Sequence, residues 1–480
     1  MSNFLELSAP PESPERLLKR SDLVFRLENL AADWVTSLFP GAAQPKLLLF
    51  GSSLLGVLTP DSDIDTVLVF GPKISREMVF SGFVKKLQSE CDFLSAIPDA
   101  HVPVIKLSIE GFSVDILTAH VPADFLKQIH SDKGSILYPL PVQEIDNPSL
   151  LSLNGVRVGQ IILRILRGSE DGGFDLGIEA DRRVALYQNC LRLIKYWARK
   201  RGIYSNAMGF FGGITWAILL ARNFQIDNTL SDEASVLIFF FRVWSTWQWG
   251  GSSPVSLKTL PTSLSANKTR NGLIAQYSAD SMSEPIGTSE EQGAMWDPSA
   301  SEIDRKAFMP ILTPAAPFMN STFNTLLTNY RILKDEFRRG FDTLKDNNFH
   351  DDILNILCED AQAVCGEHVL QLKIQIKVWG IERERRIFNW QGIVESKLRV
   401  LMLHLEKIPN LICRPFPDPP IIDETDCLVT TFRIILKLED SNRINLNSAV
   451  DNFRTAICLA IDARSDASEL VKNSKVSIFV

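Results

Sequence analysis

Phe50-Gly51-Ser52-Ser53-Leu54-Leu55-Gly56-Val57-Leu58-Thr59-Pro60-Asp61-Ser62-Asp63-Ile64-Asp65 is the stretch on which the fold turns. An apolar run, residues 46–50, ends at Gly51-Ser52 and predicts a strand entering a tight turn. Backbone N–H groups freed where a strand passes into a helix form an anion cradle, and glycine lets phosphates approach closely. Asp63 and Asp65 stand one residue apart on the next expected strand, which residues 67–70 continue, so their side chains point the same way. Paired carboxylates repel one another unless a cation lies between them, and hard oxygen donors of this kind suit Mg²⁺, with Mn²⁺ as the alternative. A third carboxylate, Asp115, sits in the apolar run 112–117, which follows another run, 102–109, across Glu110-Gly111. Two antiparallel strands there would carry Asp115 to the side of Asp63 and Asp65. Three aspartates around two ions about 3.5–4 Å apart serve to activate a hydroxyl and hold a leaving pyrophosphate, so the expected reaction class is nucleotidyl transfer. An Asp-x-Asp pair on its own is usually a solvated loop; here the Gly-Ser turn, the continuing strand and the third aspartate accompany it.

At 480 residues and 45% hydrophobic, the chain is long enough for more than one core. No run of about 18 apolar residues is evident and the N-terminus lacks a basic flank, so a soluble, intracellular protein without a membrane partner is expected. Seven cysteines without zinc-like spacing predict reduced, mostly buried thiols. The net charge of −7 is unevenly spread. Arg182, Arg183, Arg192, Lys195, Arg199, Lys200 and Arg201 fall in a stretch with no acidic residue, and Lys373, Lys377, Arg385, Arg386, Lys397 and Arg399 enrich a second. Such concentrations fit a phosphate footprint, although a solvated helix face or structural ion pairs explain them equally well.

Ser13-Pro14-Glu15 has the form of a helix start, and Leu17, Leu18, Val24, Leu27, Leu30, Ala31 and Trp34 give that helix an apolar face. Residues 75–91 are helical in pattern. Long helices are expected over 183–200, 208–222 and 231–247, and polar loops over 167–180 and 261–293. The last third predicts a helix at 351–365, a strand at 369–380, a helix at 392–407, a strand at 426–439, a helix at 446–464 and a terminal segment at 476–480. The fold class is therefore α+β in three domains: a mixed-sheet catalytic domain (14–165), a helical middle domain (181–345), onto which the N-terminal helix is expected to pack, and a C-terminal α/β sandwich (346–480).

Motifs in this order resemble the eukaryotic nuclear-type poly(A) polymerases, within the nucleotidyltransferase superfamily that includes DNA polymerase beta. The resemblance runs through Phe50-Gly51-Ser52, Leu55-Gly56-Val57, Asp63-Ile64-Asp65, Val102-Pro103-Val104-Ile105-Lys106 and Asp115-Ile116-Leu117. It continues in Leu153-Asn154-Gly155-Val156-Arg157-Val158, Ile194-Lys195-Tyr196-Trp197-Ala198, Ile203-Tyr204-Ser205-Asn206 and Gly209-Phe210-Phe211-Gly212-Gly213-Ile214. Later matches are Trp296-Asp297-Pro298, Met309-Pro310-Ile311-Leu312-Thr313-Pro314-Ala315 and Trp390-Gln391-Gly392-Ile393-Val394-Glu395-Ser396-Lys397.

The resemblance implies transfer of AMP from ATP to an RNA 3′ end in mRNA polyadenylation, by a nuclear, monomeric enzyme working with a cleavage and polyadenylation complex. It implies Asp63, Asp65 and Asp115 as catalytic metal ligands. Gly51 and Ser52 would hold the terminal phosphates, with Lys106, Lys195 and Tyr204 as further nucleotide contacts. Phe50 and Ile214 would sandwich the adenine, Asn206 and Gly212-Gly213 would lie beside it, and Asn154 would reach the ribose. It also implies that the C-terminal domain is similar to an RNA-recognition fold, although the usual aromatic signature is not evident. Taken singly, Phe50 and Ile214 read as core, Lys195 as a snorkelling helix residue and Tyr204 as a helix cap. The chain departs from the family at Ser53 and Leu54, where an aromatic and then a basic residue are usual, and at Thr66. It also lacks the Ser/Thr-rich tail of animal members, so regulation through one is not expected. Another RNA terminal nucleotidyltransferase, such as a uridylyltransferase, and an inactive RNA-binding scaffold are the competing readings.

Overall fold

The computed structural model describes residues 2–100, 102–137, 140–141, 143–168, 177–251, 253–257, 296–315, 318–346, 351–361, 370–380, 383–409, 411–417, 421–422, 427–438, 445–462, 464 and 467–479. The polar stretch 261–293 and much of 167–180 lie outside them.

Strands β1 (Lys46–Leu49), β2 (Ile64–Phe70), β3 (Phe93–Ile97), β4 (Val104–Ile109) and β5 (Phe112–His120) form a sheet in the order β1-β2-β5-β4-β3. The β2–β5 pair is parallel and the other pairs are antiparallel, so the sheet is mixed. Residues 66–70 of β2 are all buried, as a strand covered on both faces requires. One face packs on helix Pro14–Leu38, which Ser13 caps by accepting from the Arg16 N–H. Leu23, Leu27, Ala31 and Trp34 of that helix share a core with Leu68, Phe70, Ile105 and Ile116. The expected packing of the N-terminal helix on the middle region is therefore corrected: its apolar stripe matches this sheet. The short helix Ser2–Ser8 is the segment that lies on helix Ile178–Lys200, with Phe4 edge-on to Tyr196 at 6.1 Å.

The other face is covered by helices Ala123–Ser131 and Asn147–Leu166, whose Phe125, Leu126, Leu153 and Val156 meet Val67, Val69 and Ala119. Asn147–Leu166 is long and apolar enough to cross a membrane by length and composition, contrary to the expectation from sequence. Here it is mostly buried within the protein as a core helix.

Helices Ile178–Lys200, Gly213–Ile226, Glu233–Thr246 and Leu327–Leu344 build the middle region around an aromatic centre. Trp197 meets Phe241 at 4.8 Å and Trp216 at 5.6 Å, both edge-on, and Phe337 closes the cluster. Gly213–Ile226 starts later than its apolar pattern predicts because residues 204 and 211 pair across a turn that ends at Gly212, the helix cap.

The C-terminal region runs β6 (Leu370–Val378), helix Arg383–Leu405, β7 (Leu411–Pro417), β8 (Ile421–Ile422), β9 (Leu428–Leu438), helix Asn447–Asp462, helix Ala467–Val471 and β10 (Ser474–Phe479). Its sheet has the order β10-β6-β9-β7, antiparallel throughout, with β8 also on β9. The helix expected at 351–365 is shorter, Asp351–Leu357. Middle and C-terminal regions share one apolar core: Trp197, Phe337 and Leu354 belong to the same cluster as Ile374, Leu401 and Phe453. Among the described residues Cys190, Cys358 and Cys413 are buried free thiols, Cys91 and Cys458 are also free, and Cys427 is buried with its thiol directed to the Val378 carbonyl.

Candidate active site

Parallel pairing of β2 with β5 puts Asp65 directly opposite Asp115, and Asp63 stands immediately before β2. Thr66 strengthens that pairing, its hydroxyl donating to the Asp115 carbonyl at 3.0 Å. On the far side of β5, antiparallel pairing brings Lys106 opposite Asp115, and Lys106 Nζ reaches Asp115 Oδ2 at 2.5 Å. Phe50 N–H donates to the Asp65 carbonyl at 3.1 Å, which anchors the turn to β2. Helix Gly51–Leu55 follows at once, as the strand-to-turn reading predicts. Gly51 has φ +60°, and a Cβ there would collide with Asp65 Oδ2.

Three carboxylates so placed carry an electrostatic load. Burial, then repulsion from Asp115 and Asp63, pushes Asp65 up to about 7, with Lys195 and Lys106 opposing. Burial and Asp115 likewise raise Asp63, against Lys106, Arg20 and Arg199. Among the described residues no three acidic, imidazole or thiol groups are gathered into a ready cage for an ion, and Asp115 is drawn to Lys106 instead. The donor set nevertheless fits a hard divalent cation: it offers carboxylate oxygens only, from Asp65 and Asp115, which are half-buried, and from the exposed Asp63.

The facing half comes from the middle region. Lys195 is buried near the end of helix Ile178–Lys200, and burial, with Arg199 adding to it, lowers its pKa to about 8 while Asp65 opposes the shift. Tyr204 lies on the following turn; burial raises its phenol, and the charges of Arg199, Asp65 and Asp63 all act on it. The Arg199 guanidinium sits over the Tyr204 ring at 4.8 Å. A Cβ on Gly213 would come within 2.9 Å of Tyr204 Oη, and one on Gly212 would touch Asn206, so the glycine turn rests on both side chains. Ile214 follows, half-buried at the edge of the main core. Helix Gly51–Leu55 abuts both Gly213–Ile226 and Asn147–Leu166. The Phe50 ring lies 3.0 Å from where Gly155 would carry a Cβ, and the neighbouring Asn154 is buried. Phe50 is thus packed on that helix, at the edge of the core shared by the sheet and helix Asn147–Leu166, whereas Ile214 packs at the edge of the main core.

Two cations join the site without having been assigned to it from sequence. Arg199 falls one helical turn beyond Lys195, a spacing that places both on one face and could have flagged it. Arg20 left no signal: it is buried in helix Pro14–Leu38, ion-paired to Glu12, and it donates to the carbonyl of Ser62, next to Asp63. Part of the expected basic footprint is spent inside the protein. Arg183 donates to the Phe224 carbonyl, Arg192 to Asn189, Arg201 to Glu336 and Arg386 to the Trp379 carbonyl.

Models of the poly(A) polymerase nucleotidyltransferase domain and central domain match residues 3–166 and 186–358. Nuclear poly(A) polymerase 1 of Arabidopsis thaliana is 30% identical over 85% of this chain and 52% of its own length. Nuclear poly(A) polymerase 2 of the same plant is 29% identical over 95% and 53%. The poly(A) polymerase of Dictyostelium discoideum is 29% identical over 92% and 50%. The chain therefore spans about half the length of the curated relatives it matches. A solved structure of the Cid1 poly(U) polymerase is similar at 13% identity and a TM-score of 0.48, covering 75% of this chain and 98% of its own. With both domain models matching in order and these relatives aligned along most of its length, the chain belongs to the poly(A) polymerase family.

Proposed function

We propose that the protein is a nuclear polynucleotide adenylyltransferase that adds AMP from ATP to RNA 3′ ends. The observation that carries this reading is the meeting of Asp63, Asp65 and Asp115 with Lys106, Lys195, Arg199 and Tyr204, acidic and cationic groups from two facing units. That pattern suits in-line attack on a triphosphate, where catalysis is chiefly positioning and charge. Asp63, Asp65 and Asp115 would hold Mg²⁺, or Mn²⁺ in its place, and such ions supply the charge that activates a hydroxyl and steadies leaving pyrophosphate. Lys195, Arg199, Tyr204 and Lys106 bind the triphosphate, together with Ser52 and the Gly51 turn. Phe50 and Ile214 flank the adenine, Asn206 and Gly212-Gly213 line its edge, and Asn154 meets the ribose. Asp115 orients the attacking 3′-hydroxyl and takes its proton as the bond to the α-phosphate forms. Closure of the cleft between the two units couples nucleotide fit to assembly of the site.

The same reading divides the chain into a catalytic domain (14–165), a helical middle domain (181–345) and a C-terminal domain (346–480) that resembles an RNA-recognition fold. Its β-α-β-β-α-β order, apart from the two-residue β8 and the short helix Ala467–Val471, and the face of its sheet support an RNA partner. Lys373 pairs across the ladder with Arg433, and Lys377 with Lys475. Cations gathered on one sheet suit contact with a phosphate chain.

The test is extension of a labelled oligoadenylate by each of the four nucleoside triphosphates with Mg²⁺, comparing wild type with Asp115→Ala. A ladder with ATP alone, reduced about a thousandfold by the substitution, is expected. Extension with UTP instead moves the assignment to a uridylyltransferase, and extension by Asp115→Ala at the wild-type rate removes the site.

A further inference from the structure

The chemistry above makes no use of the Trp390–Lys397 motif, which lies on helix Arg383–Leu405. Two of its residues fasten that helix within the C-terminal domain: Trp390 Nε1 donates to the Leu470 carbonyl at 3.2 Å, and Gln391 Nε2 to Thr430 Oγ1 at 3.0 Å. Glu395 does something else. Its Oε1 accepts a hydrogen bond from Ser205 Oγ at 3.0 Å, across 190 residues of sequence. Ser205 stands between Tyr204 and Asn206, the two side chains on which the Gly212-Gly213 turn rests.

The remaining backbone of this loop is held from the middle region. Asn324 Nδ2 donates to the Asn206 carbonyl and Asn329 Nδ2 to the Met208 carbonyl, each at 3.1 Å. The preceding turn is clasped from the C-terminal side as well. Arg414 of β7 donates to the Arg201 carbonyl and to Glu336 Oε1, and Phe416 fills the space that a Cβ on Gly202, at φ +62°, would need. The loop that presents Tyr204 and Asn206 is thus fixed partly by a domain that supplies no catalytic group.

We infer that Glu395 is a positioning residue for the nucleotide: its carboxylate fixes Ser205 and thereby the setting of Tyr204 and Asn206, which makes the C-terminal domain a wall of the nucleotide site. This rests on the reading of Tyr204 and Asn206 as nucleotide contacts. A hydrogen bond to a carboxylate is among the stronger ones a hydroxyl can make, and a half-buried carboxylate resists replacement by water.

The experiment uses the full chain and two readouts: titration with α,β-methylene-ATP, and KM for ATP and for an oligoadenylate primer. Glu395→Ala is expected to weaken nucleotide affinity and raise KM for ATP about tenfold, the worth of one charge-assisted hydrogen bond, with primer KM changed less than about twofold. Glu395→Gln retains an acceptor oxygen and restores most of the loss. Ser205→Ala reproduces the loss, and the double variant adds nothing to it, because both substitutions remove one interaction. Unchanged nucleotide affinity in Glu395→Ala, additive losses in the double variant, or a loss confined to primer KM overturns the inference. A wild type that binds the analogue but extends no primer refutes the proposed reaction instead, and the binding comparison then still judges the contact.

Discussion

At Gly51 no side chain fits: φ is +60° and the place of a Cβ is taken by Asp65 Oδ2. Gly51→Ala combines a left-handed backbone cost of about 1–2 kcal/mol with displacement of a carboxylate from the site. Activity is therefore expected to fall by about two orders of magnitude or more, while the melting temperature drops by only a few degrees; full activity in the variant would mean that the Asp65 carboxylate can sit elsewhere. This glycine and the three aspartates were legible in the sequence because strand periodicity and a turn residue at a fixed place carry geometric information. Arg20 was not, since nothing in a helical pattern says that one arginine is buried against Glu12 and aimed at the carbonyl beside Asp63. Lys195 was legible through resemblance, and the single turn separating it from Arg199 was the unused clue.

Elements whose apolar pattern matched their partners were readable, and those shaped by a neighbour were not. Helix Pro14–Leu38 was identified from its cap, but it was assigned to the helical middle domain and not to the sheet it covers, because a stripe shows which side is buried without showing against what. Strand β7 carries Pro415 and Pro417, which argue against a strand interior and are tolerated because β7 lies at the sheet edge. Helix Leu327–Leu344 went unassigned although Ile332, Leu333, Phe337 and Leu344 line its buried side. Its crossing with helix Glu233–Thr246 depends on Gly340, where a Cβ would strike the fully buried Phe241 ring. Two effects oppose each other in Gly340→Ala. Helix propensity favours alanine by about 1 kcal/mol, whereas overpacking against a ring with no free space costs about 1–3 kcal/mol. The collision wins, so a net destabilisation is expected from chemical unfolding, and a stabilised variant would show that the two helices can separate without cost.

At the scale of the whole molecule, the middle and C-terminal regions are joined at a buried charge cluster, where the end of helix Ile178–Lys200, helix Leu327–Leu344 and β7 converge. Glu336 receives Arg201 through two hydrogen bonds of 2.9 Å, Arg414 at 2.9 Å and Arg339 at 3.3 Å, and Arg201 also donates to the Glu359 carbonyl at 2.7 Å. Burial by itself would raise the Glu336 carboxyl, but the Arg201 hydrogen bond and the charges of Arg414, Arg201 and Arg339 outweigh it and hold the group below its ordinary value of 4.5. Because the folded pKa lies below the unfolded one, the ionised pair contributes its full stability above about pH 4.5 and loses it as pH falls through the lower, folded value. Glu336→Gln leaves three guanidinium groups around an uncharged side chain, a change that costs about 3–5 kcal/mol when a buried pair is broken. The expected result is a large gap in unfolding midpoint between wild type and Glu336→Gln at pH 7 that narrows steadily below pH 4.5, as protonation makes the wild-type carboxyl resemble the amide. A gap that stays constant with pH would assign the cost to shape, not charge. With the cluster weakened, the Arg201–Asn206 turn loses its support from β7, so nucleotide affinity at pH 7 should fall together with stability, linking the packing of the C-terminal domain to the proposed nucleotide site.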